Sequence, residues 1–304
     1  MTAEERTTAD VGTPPPAGSG AVEVLRVDLS DPTAPRGVRR DDAVAVEEPL
    51  EVRVGGAPVV VTMRTPGAGA DHADDDDLAL GFLLTEGLLP GPDAVRRTTA
   101  CLDTDLRGRP TVGTVDLELA PGVPALDLEG RRTFGMTSAC GVCGSASIDA
   151  VRARTGADLW RDRTQVDAAV LAALPDRLRE AQRVFSRTGG LHAAGLATPD
   201  GELLVVREDV GRHNAVDKVL GRAARDVGWP LTGHVLVVSS RASFELAQKA
   251  WTAGVPVLAA VSAPSSLAVR LAQESGMTLA GFVRAPRLNV YAGAHRVRLP
   301  AGTT

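Results

Sequence analysis

The sequence predicts an α/β fold in which a layered domain with a mixed sheet, over residues 136–304, follows a β-rich N-terminal subdomain over residues 21–135. Three observations carry this. After Phe134, strand-like apolar runs alternate with segments of helical length, the pattern of an α/β layered domain. Two of those runs, "VLVV" and "VLAAV", show no polar alternation, as in strands buried on both faces. Before Phe134 the chain instead shows the two-residue periodicity of half-buried strands.

Residues 1–20 are rich in Pro, Gly, Thr and Ala, lack periodicity and read as a disordered tail. "VEVLRVDL" (22–29) and "TVGTVDLEL" (111–119) alternate as strands, and "EPLEVRVGGAPVVVTMRT" (48–65) places two β-rich runs around Gly55-Gly56, a hairpin signal. One helix interrupts at "DDDDLALGFLLTEGLL" (74–89), with Leu78, Phe82 and Leu83 as its apolar stripe. Its aspartates could hold a metal, but they read more simply as a solvated cap that suits a helix N-terminus. A helix is expected after the cysteines at 140 and 143. Another covers 167–188, broken or kinked at Pro175 and stopped by Gly189-Gly190. Residues 191–198 and 202–209 form a hairpin around "PDG". Strands at 234–240, 255–262 and 278–284 then alternate with helices at 213–226, 243–253 and 266–275, and "LNVYA" and "HRVRL" close the chain as short strands.

The net charge of −5 lends no support to nucleic-acid binding, which favours a basic face. No apolar run approaches the ~18 residues that span a bilayer, and the N-terminus lacks the apolar core of a signal peptide. Three cysteines in 304 residues are no disulfide framework, and a reducing cytoplasm suits them. The chain therefore reads as cytoplasmic, with neither membrane nor nucleic acid as partner. Lys218 and Lys249 are its only lysines. Arginine-biased coding explains such a skew, or a compact ammonium is required at those two places. Ion pairing with Asp217 or Glu245 is the plain role for them, worth little if exposed.

Ligands of open α/β sheets sit beyond the carboxyl ends of the strands. Three segments fall there, "REDVGRHNAVDK" (207–218), "SSRASFELAQK" (239–249) and "VSAPSSLAV" (261–269), each opening a helix with donors suited to an anion. No Walker motif and no G-x-G-x-x-G is present.

The chemistry concentrates in "TSACGVCGSASID" (137–149), where Cys140 and Cys143 form a C-x-x-C. Structural zinc takes four ligands, and here a site would have to borrow from His72, His192, His213, His234 or His295. The zinc-deaminase signature, H-x-E followed by P-C-x-x-C, fails in composition and in order: "HAAG" (192–195) lacks the acid and follows the cysteines. A thioredoxin-like dithiol also places C-x-x-C at a helix start. Against it, Gly141 and Gly144 loosen the loop, a freedom that suits a sulfur carried between two partners.

The motifs "TSACGVCG" (137–144), "TGGLHAAGL" (188–196), "REDVGRHNAVDKVLG" (207–221), "SRASFELAQKAWTAGVPVLAAVSAPSSLAV" (240–269) and "TLAGFVRAPRLNVY" (278–291), in this order, resemble the formate dehydrogenase accessory sulfurtransferases. The resemblance spans about residues 40 to 295. It implies a cytidine-deaminase-like layered fold without the zinc site, a homodimer, and no structural metal. It implies a sulfurtransferase that accepts sulfur from a cysteine desulfurase as a cysteine persulfide. That sulfur passes to the bis(molybdopterin guanine dinucleotide) molybdenum cofactor, the bound substrate, before the cofactor enters the formate dehydrogenase catalytic subunit. Cys140 matches the persulfide position and Cys143 an auxiliary one. The cofactor-binding segment matches Phe282, Val283, Arg284, Ala285, Pro286 and Arg287. Arg284 and Arg287 have the bidentate geometry that pyrophosphate recognition uses. The helix openings near Arg212, His213 and Ser265 offer further donors, with ordinary capping and packing as the alternative.

Overall fold

A computed structural model describes residues 18–67, 73–101, 113–126 and 157–299. An antiparallel ribbon opens the chain, β1 (Ser19–Asp28) with β2 (Arg36–Ala45). A four-stranded sheet of order β4-β3-β6-β5 follows, from β3 (Glu48–Val54), β4 (Ala57–Arg64), β5 (Val95–Cys101) and β6 (Gly113–Leu119). Gly55 and Gly56 join β3 to β4 at φ of 58° and 81°, a turn that needs two left-handed residues. Helix α1 (Ala73–Thr85) covers this sheet through Leu78, Leu80, Leu83 and Leu84, packed with Leu50, Val52, Val115 and Leu117.

The larger sheet has six strands in the order β13-β12-β11-β10-β8-β9. They are β8 (His192–Ala197), β9 (Leu203–Asp209), β10 (Val235–Val238), β11 (Val257–Ala260), β12 (Thr278–Arg284) and β13 (Arg287–Ala292). Strands β10, β11 and β12 are parallel, β8 and β13 run against them, and β9 runs against β8. Four strands, β9 to β12 without β8, therefore end at the same edge. Both central strands are fully buried, which explains their lack of alternation. Helices α4 (Arg212–Asp226), α5 (Phe244–Thr252) and α6 (Ser266–Ser275) share one core with Leu236, Val238 and Leu258. Helix α2 (Ala168–Ala181) packs through Leu171, Leu174 and Leu178 with Val235, Val237 and Val257 in another. The alternate residues of β10 thus face separate cores. A short pairing of β7 (Val166–Asp167) with β14 (Val297–Arg298) closes the chain.

Several expectations are corrected. Helix α1 ends at Thr85 rather than Leu89. Helix α2 runs through Pro175 without breaking, because proline's φ is itself helical and the buried leucines around it hold the helix to the sheet. The interruption falls instead after Ala181, and α3 (Phe185–Thr188) ends at Gly189 in the left-handed conformation. "HRVRL" forms its strand only at Val297–Arg298; His295 and Arg296 belong to a 3-10 turn, Ala294–Arg296, in which buried Arg296 donates to the carbonyls of Gly276 and Leu159. The aspartates of α1 are not a solvated cap. Asp75 takes a bidentate pair from buried Arg64 at 2.7 and 3.0 Å, and Asp77 takes Arg207 at 2.8 Å. The helix expected after the cysteines lies outside the described residues.

The two halves meet where α1 crosses α4. Gly81 and Gly221 face each other so closely that a Cβ on either would overlap backbone of the other helix. Lys218 is fully buried beside this crossing. Its ammonium donates to Asp209 at 2.7 Å, to the Thr65 carbonyl at 2.7 Å and to the Glu208 carbonyl at 3.3 Å, so all three N–H bonds are used. Lys249 pairs with Asp217 at 2.9 Å and Glu86 at 3.3 Å and donates to Thr85 at 2.9 Å. The expected partners are corrected accordingly. Asp217 serves Lys249 and not Lys218, Glu245 serves neither, and both ammonium groups are buried.

Gly221→Ala is expected to lower stability by about 1–3 kcal/mol, the usual cost of overpacking, seen as a lower denaturant midpoint at unchanged slope. An unchanged midpoint would show that the helices separate freely. Lys218→Met, which strands Asp209 in the core, is expected to cost roughly 3–5 kcal/mol in the same measurement.

Candidate functional site

The shared carboxyl edge of the large sheet opens into a cavity of about 520 Å³. Strand ends supply His192, Ser239, Val261, Val283 and Arg284. Helix α2 and the turn after it supply Arg179 and Gln182, and Gly189-Gly190 exposes backbone. Asp209 ends β9 and organises the next turn, accepting from Gly211 N–H at 2.8 Å, Thr65 N–H at 3.0 Å and the Asn214 amide at 3.2 Å. That turn delivers cavity-lining Val210 and then the first residues of α4.

The groups here are arranged for an electron-rich ligand. Gln182 is 3% exposed, lines the cavity and leaves its Nε2 without a partner. No side chain caps α4, so its first N–H groups remain free of a local acceptor. Arg212 Nε and His213 Nε2 are likewise buried without partners. Arg179 stacks over Phe185 at 4.1 Å, which holds a guanidinium at the cavity wall. Burial, with Lys249 and Arg212 adding positive charge, pushes the His213 pKa down to about 4, against Glu245, while His192 adds to the depression. His192 is also lowered, by burial and then by Arg212. Both imidazoles are neutral at pH 7. Glu245 is held below its usual range: burial raises it, but backbone N–H donation, Ser243 and the nearby His213 and Arg212 more than offset this.

The sequence-expected residues fall out unevenly. Cys140 and Cys143 lie outside the described residues. Within 282–287, Val283 and Arg284 line the cavity, whereas Phe282 is exposed on β12 and Ala285, Pro286 and Arg287 form the exposed bend beyond it. Phe282 adopts a φ of 50° and is 46% exposed, its strand irregular there because β12 bulges against β13. Arg284 and Arg287 face each other across the hairpin, and neither has a carboxylate partner among the described residues. Ser265 caps α6, accepting from Ala268 N–H at 3.2 Å, which is the capping alternative. Sequence reasoning missed Arg179 and Gln182. No local signal in the sequence marked either of them.

The sequence profile of the FdhD/NarQ family matches residues 45–298. The chain belongs to the FdhD/NarQ family. A relative from Streptomyces avermitilis, named sulfur carrier protein FdhD, is 55% identical over 265 residues, covering 86% of this chain and 91% of its own. One of the same name from Mycobacterium tuberculosis is 52% identical over 268 residues, covering 87% and 95%. A crystal structure described as a formate dehydrogenase accessory protein, from Desulfotalea psychrophila, superposes with a TM-score of 0.67 over 91% of this chain and 99% of that one. At 22% identity that likeness speaks for the fold alone. Among the described residues no helix is long and apolar enough to cross a membrane.

The His213 shift has a defined sign. In the unfolded chain the ring gains its proton near pH 6.5, in the fold only near 4. Stability from its neutral form is complete above pH 6.5 and is lost as pH falls from there towards 4, by up to about 3 kcal/mol. Titration by nuclear magnetic resonance should place the His213 transition near 4, and His213→Gln should flatten the pH dependence of stability between 6.5 and 4. A transition near 6.5 would show the ring to be solvated.

Proposed function

We propose that this chain is a sulfurtransferase that carries a persulfide on Cys140 and delivers its sulfur to the bis(molybdopterin guanine dinucleotide) molybdenum cofactor for formate dehydrogenase. The observation that carries the reading is family membership across residues 45–298, with relatives named as sulfur carriers, in a chain with Cys140-x-x-Cys143. The finer expectations belong to the same proposal: a cysteine desulfurase as donor, the formate dehydrogenase catalytic subunit as recipient, a homodimer, a cytoplasmic site of action and cytidine-deaminase-like layering.

In the loading step the Cys140 thiolate attacks the outer sulfur of a donor persulfide. The donor S–S bond breaks, the donor cysteine leaves as thiolate, and the sulfur stays on Cys140 as a new persulfide. Cys143 is the auxiliary thiol. The cofactor, as substrate, carries pyrophosphates and guanines, and the cavity groups suit that chemistry. Arg284 has no carboxylate competitor among the described residues, the buried Gln182 amide in the cavity awaits an acceptor, and beside it α4 opens uncapped with Arg212 Nε unpartnered. His192 and His213, being neutral, add hydrogen-bonding capacity without charge. Cavity and bend would hold the nucleotide end while the cysteine segment works on the metal end.

Incubation with a cysteine desulfurase and cysteine, followed by mass spectrometry, should add sulfur at Cys140. Cys140→Ala should take up none there and fail to support formate dehydrogenase activity in cells. A wild-type chain that never gains sulfur would reduce the protein to a cofactor-holding chaperone. The paired Arg284→Ala and Arg287→Ala changes should weaken guanosine diphosphate binding by about tenfold or more, since bidentate charge-assisted contacts are the strong ones. Unchanged affinity would remove both from the site.

A further inference from the structure

Gln182 stands at the interruption between α2 and α3, and its backbone is fully engaged. Its N–H donates to the Arg179 carbonyl at 3.2 Å, and its carbonyl accepts from the Ser186 N–H and hydroxyl at 3.2 and 2.6 Å. Its side-chain amide is not engaged. The residue is 3% exposed and lines the cavity, and Nε2 has no partner. Glu208, the carboxylate that holds this segment, is taken up by the N–H groups of Val184 and Phe185 at 3.0 and 2.8 Å. A buried amide without partners is costly, so one that faces a cavity marks the place of a ligand group.

The lining of the cavity is sorted by depth. Leu178, Leu191 and Val283 are buried walls, with Phe185 and Val261 partly buried beside them. The polar groups among these walls carry no charge. They are the Gln182 amide, the neutral His192 and Ser239, whose oxygen accepts from the Ala193 N–H at 2.9 Å and whose own proton is left to donate. The charged members of the lining, Asp176, Arg179 and Arg284, are all exposed. An uncharged interior between apolar walls suits a flat heterocycle, and guanidinium groups at the rim suit the phosphates attached to it.

We propose that Gln182 is the specificity-determining residue of this cavity, its carboxamide pairing with the lactam edge of a bound heterocycle, a ring N–H beside a ring carbonyl. The amide oxygen accepts from the ring N–H and Nε2 donates to the carbonyl, giving two parallel hydrogen bonds. Guanine carries this edge at N1 and C6, pterin carries it at N3 and C4, and the cofactor proposed as substrate contains both. The inference rests on that cofactor reading and adds an orientation to it. The heterocycle enters, and the pyrophosphate stays with Arg179 and Arg284 at the rim. The exocyclic amino group of guanine lies outside the pair with Gln182.

Calorimetric titration of the full chain with guanosine diphosphate and with 6-hydroxymethylpterin tests it. Gln182→Leu removes an amide that has no partner in the fold, so its denaturant midpoint should not fall. A lowered midpoint would make the amide a structural group and overturn the inference. Guanosine diphosphate should bind this variant about tenfold or more weaker than the wild type, the loss of one bidentate pair. N1-methylguanosine diphosphate, which lacks the ring proton, should bind the wild type weaker by a similar factor and the variant no worse than guanosine diphosphate does. Inosine diphosphate keeps the lactam edge without the amino group and should suffer the same loss in the variant. Adenosine diphosphate is no control, because a carboxamide can turn over and pair with adenine. Binding of the pterin that depends on Gln182, with guanosine diphosphate indifferent to it, would make the pterin the occupant and uphold the lactam pairing. Equal binding of both ligands to wild type and variant would overturn the role of Gln182. If neither ligand binds the wild type the site itself is overturned, whereas sulfur loading of Cys140 still tests the sulfurtransferase proposal separately.

Discussion

The contact between Lys218 and Asp209 is the constraint on which the rest of the molecule depends. A buried ammonium is costly unless every proton has an acceptor, and Lys218 finds its three on two segments: Asp209 and the Glu208 carbonyl at the end of β9, and the Thr65 carbonyl after β4. Asp209 returns the constraint by accepting Thr65, Gly211 and Asn214. One ion pair thereby pins the end of the N-terminal sheet, the last strand of the large sheet and the start of α4. Lys249 repeats the device next door. Burial disfavours its charge, yet Asp217 and Glu86 outweigh that and raise its pKa above the ordinary value. The chain holds only two lysines, and both stand where a broad guanidinium could not use such compact acceptor sets.

These pairs also set the distance between halves. With α1 and α4 in backbone contact at Gly81 and Gly221, the arginine partners of the α1 aspartates come from β4, β9 and α4. The crossing is stitched from both sides, and the turn from Asp209 to Arg212 is left at the mouth of the cavity. The neutral histidines, His192 at the cavity and His213 in the first turn of α4, follow from the same arrangement. Burial, with the nearby cations Lys249 and Arg212, depresses His213, so the positive charge at this edge resides in groups that do not titrate near neutral pH.

Much of the secondary structure was legible. Helix 266–275 agrees to the residue, because Ser265 and Gly276 are orthodox caps and the strands flanking it are unmistakably apolar. The Gly55-Gly56 hairpin was equally plain. Errors arose where one residue type carries two meanings. Pro175 reads as a break in isolation and is tolerated inside a helix anchored by three leucines. Four aspartates at a helix start look like a solvated cap until the arginines arrive from elsewhere in the chain. The candidate site was legible through its motifs, which located Arg284, His192 and Ser239, whereas Arg179 and Gln182 come from a helix whose inward face no local pattern declares.

By itself, then, the sequence determined the α/β class, the order of nearly all strands and helices and the family, and it supplied the Cys140-x-x-Cys143 on which the proposed sulfur transfer rests. These are written in local periodicity and in contiguous motifs. Only the tertiary structure decided which carboxylate each lysine meets, which end of 282–287 enters the cavity and which buried amide is left waiting in it. Those facts depend on pairs such as Thr65 with Lys218, 153 residues apart, and folding rather than local pattern brings such pairs together.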